Sequence, residues 1–422
     1  MIFYVLVAGV AAIVTFALAL LIWKLSNKFR LYPKIRERDV HTRPTPRLGG
    51  VAMFLGVLIA FAVGSQLPTL SIVFSEPGKI LAVLGAAAII VGIGVADDIW
   101  DLDWLTKLAG QIIAAALLAW QGIQIVQLPG LQDTALLLSP YMFLAINVFL
   151  IVLVMNALNF IDGLDGLVAG VAIIANGVFF VYSYIVTYEP TTQSAYFNLP
   201  QFISAVLIGA CVGFLPLNWH PAKLFMGDAG ALLVGLLMAT STISFTGNID
   251  LSPLTDKQLL PAFIPILLPF AVLLVPLLDF GLAVFRRLRA GKSPFSADRK
   301  HLHHRLLDMG HSHLHAVLIF YAWTAAASVG LLLFLFTPSW VAVVVTATGL
   351  VICTIVTLSP LSRRKAVEAA VQSAPEDTAA EANVARYDPL DAAADPVDVN
   401  SETTDAEADV ALGRLRKKEA ST

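Results

Sequence analysis

Residues 79–103 read KILAVLGAAAIIVGIGVADDIWDLD. Between Lys79 and Asp97 there is no charge, and then four carboxylates arrive within seven residues: Asp97, Asp98, Asp101 and Asp103. A run of ~20 apolar residues crosses the hydrocarbon core as a helix. Carboxylates are costly at membrane depth. The stretch therefore reads as a membrane helix whose end carries an acidic cluster at the bilayer surface.

Working outward, similar runs recur along the chain. With approximate edges they lie at 2–23, 48–73, 79–96, 107–126, 140–158, 167–187, 200–216, 229–247, 261–285, 316–336 and 340–359. Over the 422 residues, 58% are hydrophobic and 14% charged, with a mean hydropathy of +0.79. Soluble domains carry about 25% charged residues, so an ordinary soluble domain and a disordered chain are both excluded. The expected fold is all-α, a polytopic integral membrane protein with about eleven transmembrane helices. The first run has no basic residue before it and no small-residue cleavage site after it, so it reads as a retained helix and not a signal peptide. Cys211 and Cys353 both sit in apolar runs, which rules out a disulfide framework and a zinc-ligand cysteine pair.

Eleven spans put the termini on opposite sides. The connections after odd-numbered spans, together with the tail, then hold 25 of the 27 Lys and Arg residues, and the opposite loops hold only Lys79 and Lys257. The positive-inside rule makes the basic face cytoplasmic, with the N-terminus outside and the C-terminus cytoplasmic. A membrane domain is expected over 1–360. Residues 361–422 hold 13 of the 30 acidic residues and almost no aromatics. Such a segment cannot bury enough apolar area to offset chain ordering and reads as a disordered acidic cytoplasmic tail. No internal repeat and no inverted pair of broken helices of the transporter kind is found.

Four connections on the basic face carry clustered polar groups, and the opposite loops carry only scattered single acids. The first is the cluster at Asp97–Asp103, followed by Lys107 and Gln111, which share a helix face at i and i+4. Its oxygen-only donors suit magnesium, although acids also cap helix N-termini. The second is Asn156-Ala-Leu-Asn159-Phe-Ile-Asp162-Gly-Leu-Asp165-Gly166. If the helix continues through it, the spacing of three repeatedly places polar groups on one side. The third runs from Asn218 through His220, Lys223 and Phe225 to Gly227-Asp228, where Asp228 opens a helix whose N–H groups attract phosphate. Phe225 is suited to stacking on a base, or simply to membrane packing. The fourth holds Arg299, Lys300, His301, His303, His304 and Arg305, an anion-binding loop by its charge; zinc is the rival occupant, though no cysteine supports it. His311, His313 and His315 read as an interfacial helix start.

With these residues quoted, the chain resembles the polyprenyl-phosphate N-acetylhexosamine-1-phosphate transferases over about residues 1–345. Five signatures occur in family order: Pro44-Thr-Pro-Arg47-Leu-Gly-Gly50, Asp97-Asp98 with Lys107 and Gln111, the run at 156–166, Asn218 with Phe225-Met-Gly-Asp228, and Ser293-Pro-Phe through Asp298-Arg-Lys-His-Leu-His-His304. The Pro-Thr-Pro-Arg form and the histidine loop resemble the branch that uses UDP-N-acetylglucosamine. The acidic tail is not part of the pattern.

The resemblance implies a reaction: transfer of GlcNAc-1-phosphate from UDP-GlcNAc to a polyprenyl phosphate, undecaprenyl or decaprenyl, with release of UMP. It implies a bacterial plasma membrane enzyme with a cytoplasmic site, a membrane partner and no nucleic acid, and leaves the oligomer open, a homodimer included. It also implies roles. Asp228 is the principal ligand of magnesium, with manganese as a substitute, and Asn159 its helper. Asp97 and Asp98 lie beside the metal and the acceptor phosphate. Phe225, Asn218, Asp162 and Asp165 form the uridine end; Arg299, His301, His303, His304 and Arg305 hold the pyrophosphate and the sugar, the histidines as catalytic groups. Lys107 neutralises phosphate or pairs with the aspartates, and Arg47 belongs to the substrate site. Two rivals stand against this. A membrane prenyltransferase would use Asp97-Asp98-x-x-Asp101 but leaves Phe225–Asp228 and the histidine loop unexplained. A cation transporter needs ionisable groups along its path, where only Asp279 is evident.

Overall fold

The computed structural model describes residues 1–29, 45–125, 139–187, 198–247 and 311–373, with single positions between 267 and 309. The chain divides into two units, Met1–Pro360 and Leu361–Thr422. The described residues form ten α-helices and no strand. They are α1 (Ile2–Phe29), α2 (Gly49–Ser65), α3 (Pro77–Trp100), α4 (Trp104–Trp120), α5 (Pro140–Ile161), α6 (Leu167–Thr187), α7 (Asn198–Asn218), α8 (Gly227–Thr246), α9 (His313–Leu333) and α10 (Ser339–Ser373). Eight are long and apolar enough to cross a membrane; α2 and α4, at 17 residues each, are shorter apolar helices.

Each predicted run that falls on described residues is a helix, but several ends move. The second run was expected to reach residue 73, yet α2 stops at Ser65. Leu67 precedes Pro68 and is extended, as a residue before proline prefers, and the chain re-enters a short 3-10 turn at Pro68–Leu70. The third helix runs on past 96 to Trp100, so Asp97 and Asp98 lie on its last turn. It ends because Asp101 takes a left-handed φ of 54°, a conformation that short polar side chains tolerate. Asp103 then starts α4 by accepting the Thr106 N–H at 3.0 Å, a side-chain N-cap. The last run, expected to end near 359, continues as a helix to Ser373; the added sequence is rich in Arg, Lys, Ala and Glu, which favour helix. The ninth run, 261–285, lies outside the described residues apart from single positions.

The bundle is built around α8. Every residue from Ala229 to Thr246 is buried, and α8 is surrounded by α2, α3, α5, α6 and α7. Such proximity is possible because the partners present glycine where the backbones meet, the membrane solution to close helix packing. A methyl group on Gly50 of α2 would strike the Gly230 amide, and one on Gly94 of α3 would strike the backbone of Ala229. Thus α2 and α3 both lie hard against the first turn of α8. On the outer side, Gly209 and Gly213 of α7 face the carbonyl oxygens of Ala8 and Ala12 on α1 in the same manner. Phe61, Phe74 and Phe202 pack edge to face, the Phe61 and Phe202 centroids 4.8 Å apart.

In the second half of α8, hydroxyl side chains bond back into their own helix. Thr240 Oγ1 donates to the Leu236 carbonyl (2.6 Å), Ser241 to Met238 (2.9 Å), and Thr246 to Thr242 (2.9 Å). Polar groups in an apolar interior are thereby satisfied locally.

Candidate active site

The C-terminal ends of α3, α5 and α7 and the N-terminal ends of α4 and α8 meet at one end of the bundle. Two sequence-distant motifs build the floor. Phe225 N–H donates to the Pro46 carbonyl (2.8 Å), Gly49 N–H to Phe225 (3.0 Å) and Gly50 N–H to Met226 (2.9 Å). The Pro46–Gly50 stretch is thus laced to the Phe225–Asp228 motif, main chain to main chain. Gly227, at a positive φ of 66°, lets the chain pass between the Arg47 carbonyl and the Asp98 carboxylate, where no side chain would fit.

On this floor the carboxylates converge. Lys107 Nζ lies 3.1 Å from Asp97 Oδ2 and 3.4 Å from Asp228 Oδ2, and so joins α3, α4 and α8. Asn159, from the last turn of α5, hydrogen-bonds Asp228. Asp98 stands in the field of Asp228, Asp97, Asp162 and Arg47. Asp162 lies just past the end of α5; burial first, and the charge of Asp228 next, push its carboxyl up to about 7 despite the opposing pull of Arg47. Four acids, Asp97, Asp98, Asp162 and Asp228, thereby face two bases, Lys107 and Arg47.

A divalent cation fits this donor set. Two buried carboxylate oxygens, Asp97 Oδ1 and Asp98 Oδ2, accept no hydrogen bond among the described residues. Leaving such groups bare is costly, and oxygen-only donors with an excess of negative charge suit magnesium. No group of three His, Cys, Asp or Glu side chains among the described residues converges into a closed metal cage. A divalent cation held here would therefore draw further ligands from substrate phosphates and waters, as magnesium commonly does.

The remaining expected residues are placed one shell out. The helix does not continue through the 156–166 run: α5 ends at Ile161, so Asp162 and Asp165 part company. Asp165 is buried, and its Oδ2 accepts from the Ala222 N–H (3.0 Å) and lies 2.8 Å from His220 Nδ1. Asn218 is buried too; its Oδ1 accepts from Gly166 N–H (3.0 Å) and its Nδ2 donates to the Leu224 carbonyl (3.1 Å). Both residues therefore tie the loop after α5 to the loop before α8. Phe225 is half-buried beside the lacing. Asp101, needed by the prenyltransferase motif, is exposed beyond the end of α3 while Asp97 is buried. Arg299, His301, His303, His304 and Arg305 lie outside the described residues.

Sequence reasoning missed three partners. His220 was noted without a role, and its ring also stacks on His313 of α9 (5.3 Å, 7°). Tyr321 of α9 donates to the Gly166 carbonyl at 2.6 Å, and no pattern in α9 signals it. Asn156 Nδ2 donates to Gln111 Oε1 at 2.5 Å; both residues stood in the motifs, but nothing in one dimension pairs them.

Residues 80–246 match the family described as glycosyl transferase family 4. The match contains the four converging carboxylates, Lys107, Asn159, Asp165, Asn218 and Phe225; Pro46, Arg47, Gly49 and Gly50 precede it, and His313 and Tyr321 follow it. The chain is 41% identical to a decaprenyl-phosphate N-acetylglucosaminephosphotransferase of Mycobacterium leprae, covering 85% of this chain and 91% of that protein. It is 33% identical to a probable undecaprenyl-phosphate N-acetylglucosaminyl 1-phosphate transferase of Bacillus subtilis, over 68% and 72% of the two chains. With the undecaprenyl-phosphate alpha-N-acetylglucosaminyl 1-phosphate transferase of Escherichia coli K12 the identity is 28%, over 76% and 82%.

Proposed function

The chain belongs to the polyprenyl-phosphate N-acetylhexosamine-1-phosphate transferases, glycosyl transferase family 4, and on that premise we propose that it moves GlcNAc-1-phosphate from UDP-GlcNAc to a polyprenyl phosphate and releases UMP. The observation that carries the reading to this site is the Asp97–Lys107–Asp228 bridge beside two bare, buried carboxylate oxygens. It is an arrangement made to hold cationic charge where phosphates meet.

In the reaction, an oxygen of the lipid phosphate forms a bond to the β-phosphorus of the donor. The bond from that phosphorus to the bridging oxygen breaks, and UMP leaves with the electron pair. The acceptor's second pKa is near ~6, so it is mostly dianionic at neutral pH and needs no general base. Asp97 and Asp98 are accordingly assigned to holding positive charge, through Lys107 and a metal, and not to taking a proton. Asp228 and Asn159 would hold magnesium or manganese, with Asp97 and Asp98 beside it. A cation bound there supplies Lewis-acid charge to the phosphate oxygens of a transition state that spreads negative charge. Lys107, in contact with Asp97 and Asp228, and Arg47, in the field of Asp98 and Asp162, add fixed positive charge. The basic composition of residues 299–305 suits them to the pyrophosphate and the sugar, the role the family resemblance implies.

The protein lies in a membrane, as its apolar helices and its lipid-dependent chemistry require. A cytoplasmic site in a bacterial plasma membrane, with the N-terminus outside, is supported by the charge bias: Lys24, Lys28, Arg47, Lys107 and Lys223 all belong to the site end, and Lys79 to the other.

The test is UMP release by purified protein in detergent with UDP-GlcNAc, a polyprenyl phosphate and magnesium. Turnover that requires the metal and is lost in Asp228→Asn is the expected result. Turnover with a different UDP-sugar only would correct the donor. Folded protein silent toward every UDP-sugar would overturn the transferase reading.

A further inference from the structure

Lys107 and Asn159 reach Asp228 from different helices, α4 and α5, and the geometry of that grip depends on how the two helices are set against each other. Gln111 lies four residues beyond Lys107 on α4, and Asn156 three residues before Asn159 on α5. Each is one turn deeper on the same helix face as its partner. The two amides meet there, Asn156 Nδ2 donating to Gln111 Oε1 at 2.5 Å. Gln111 is 4% exposed. Asn156 also donates to the Val152 carbonyl one turn back (2.8 Å), which fixes its own rotamer.

The contacts close a ring. It runs from Asp228 to Lys107, along α4 to Gln111, across to Asn156, along α5 to Asn159 and back to Asp228. At that end α4 is otherwise held by its Asp103 cap and by the Lys107 ion pairs, the latter made at the tip of a long side chain. Apolar contacts with α3 and α5 are non-directional, whereas an amide pair in a low-dielectric interior is bonded in one orientation only.

We propose that Gln111 and Asn156 are positioning residues: their half-buried amide bond fixes the rotation of α4 against α5 so that Lys107 and Asn159 grip the Asp228 carboxylate together. The inference rests on the reading of Asp228 as the metal-holding carboxylate. The pair is a device for catalysis and not for stability. Replacing both partners of a buried hydrogen bond by apolar groups of similar shape is nearly neutral for folding, so the two roles are separable.

The experiment compares the parent, Asp228→Asn, the apolar pair Gln111→Leu/Asn156→Leu, the single exchanges Gln111→Asn and Asn156→Gln, and the transposed pair Gln111→Asn/Asn156→Gln. For each, melting temperature in detergent, kcat and Mn2+ affinity by electron paramagnetic resonance are measured. The apolar pair is expected to melt close to the parent, yet to lose about 10- to 100-fold in kcat and in Mn2+ affinity, the range for groups that orient metal ligands. The transposed pair, which restores the bond, is expected to recover most of what either single exchange loses. Parent-like kcat and Mn2+ affinity in a folded apolar pair would overturn the proposal. So would a transposed pair no better than the singles, a comparison that stands even if the apolar pair fails to fold. If Asp228→Asn itself keeps full activity and Mn2+ binding, the reading of the site falls instead.

Discussion

The two ends of α8 handle buried polar groups in opposite ways. Toward its C-terminal end, Thr240, Ser241, Thr242 and Thr246 each return a hydroxyl to a carbonyl of their own helix. At its N-terminal end, Asp228 relies on Lys107 and Asn159 from other helices, while neighbouring Asp97 and Asp98 keep bare oxygens. Both regions are polar and enclosed, yet only one leaves its polarity unanswered. Self-satisfied groups let a helix be buried; unanswered groups, costly as they are, mark where a ligand completes the structure.

That contrast is open to attack. The largest effect is expected from Lys107→Met, which removes the cation that, among the described residues, contacts both Asp97 and Asp228. Turnover should fall by about 10²- to 10³-fold, as for loss of one preorganised charge-stabilising group, measured by UMP release. A loss below tenfold would place the working charge elsewhere. Next comes Asn218→Ala, which unties the loop at Gly166 from that at Leu224. It should cost roughly tenfold in kcat/KM and lower the melting temperature as two backbone groups lose partners. Parent-like kinetics would separate this brace from the site.

Asp162 gives a subtler probe. Its carboxyl sits at about 7 in the folded protein, against ~4 in an unfolded chain. Between those values the folded state holds a proton that the unfolded state has released, so stability falls as pH rises through the window. Asp162→Asn removes that dependence. In metal-free detergent its melting temperature relative to the parent should therefore be more favourable at pH 8 than at pH 5; a difference independent of pH would contradict the burial of this carboxyl. The smallest effect sharpens the contrast from the other end. Thr242→Val discards a hydroxyl bonded only within its own helix and should leave kcat within about twofold and folding little changed. A large loss of turnover would break the distinction between the two ends.

The fold was largely legible because a membrane helix is announced locally, by length and apolarity. Its ends were less so, since Pro68 and the left-handed Asp101 act through backbone geometry that hydropathy does not register. The site was legible as a set of charged clusters on one face. Lys107 was even foreseen as a partner for the aspartates. The pairing of Asp165 with His220, the double brace of Asn218 and the reach of Tyr321 to Gly166 were not legible. Each joins residues from different helices, and such pairings are decided by packing. The same holds for Gly50 and Gly94, whose value lies in the helix they touch and not in the one they occupy.

The glycine seam between α1 and α7 bears on how the protein is made. Translation delivers α1 before α7, so Ala8 and Ala12 find Gly209 and Gly213 only after the five described helices between them have been made. Until then α1 is held by its immediate neighbour α2, where Gly56 lets the second helix close on Thr15 and the Ala11 carbonyl. It is then claimed by a helix some two hundred residues younger. The seam thus joins helices far apart in the chain through small residues alone, the close backbone approach that glycine permits in a membrane.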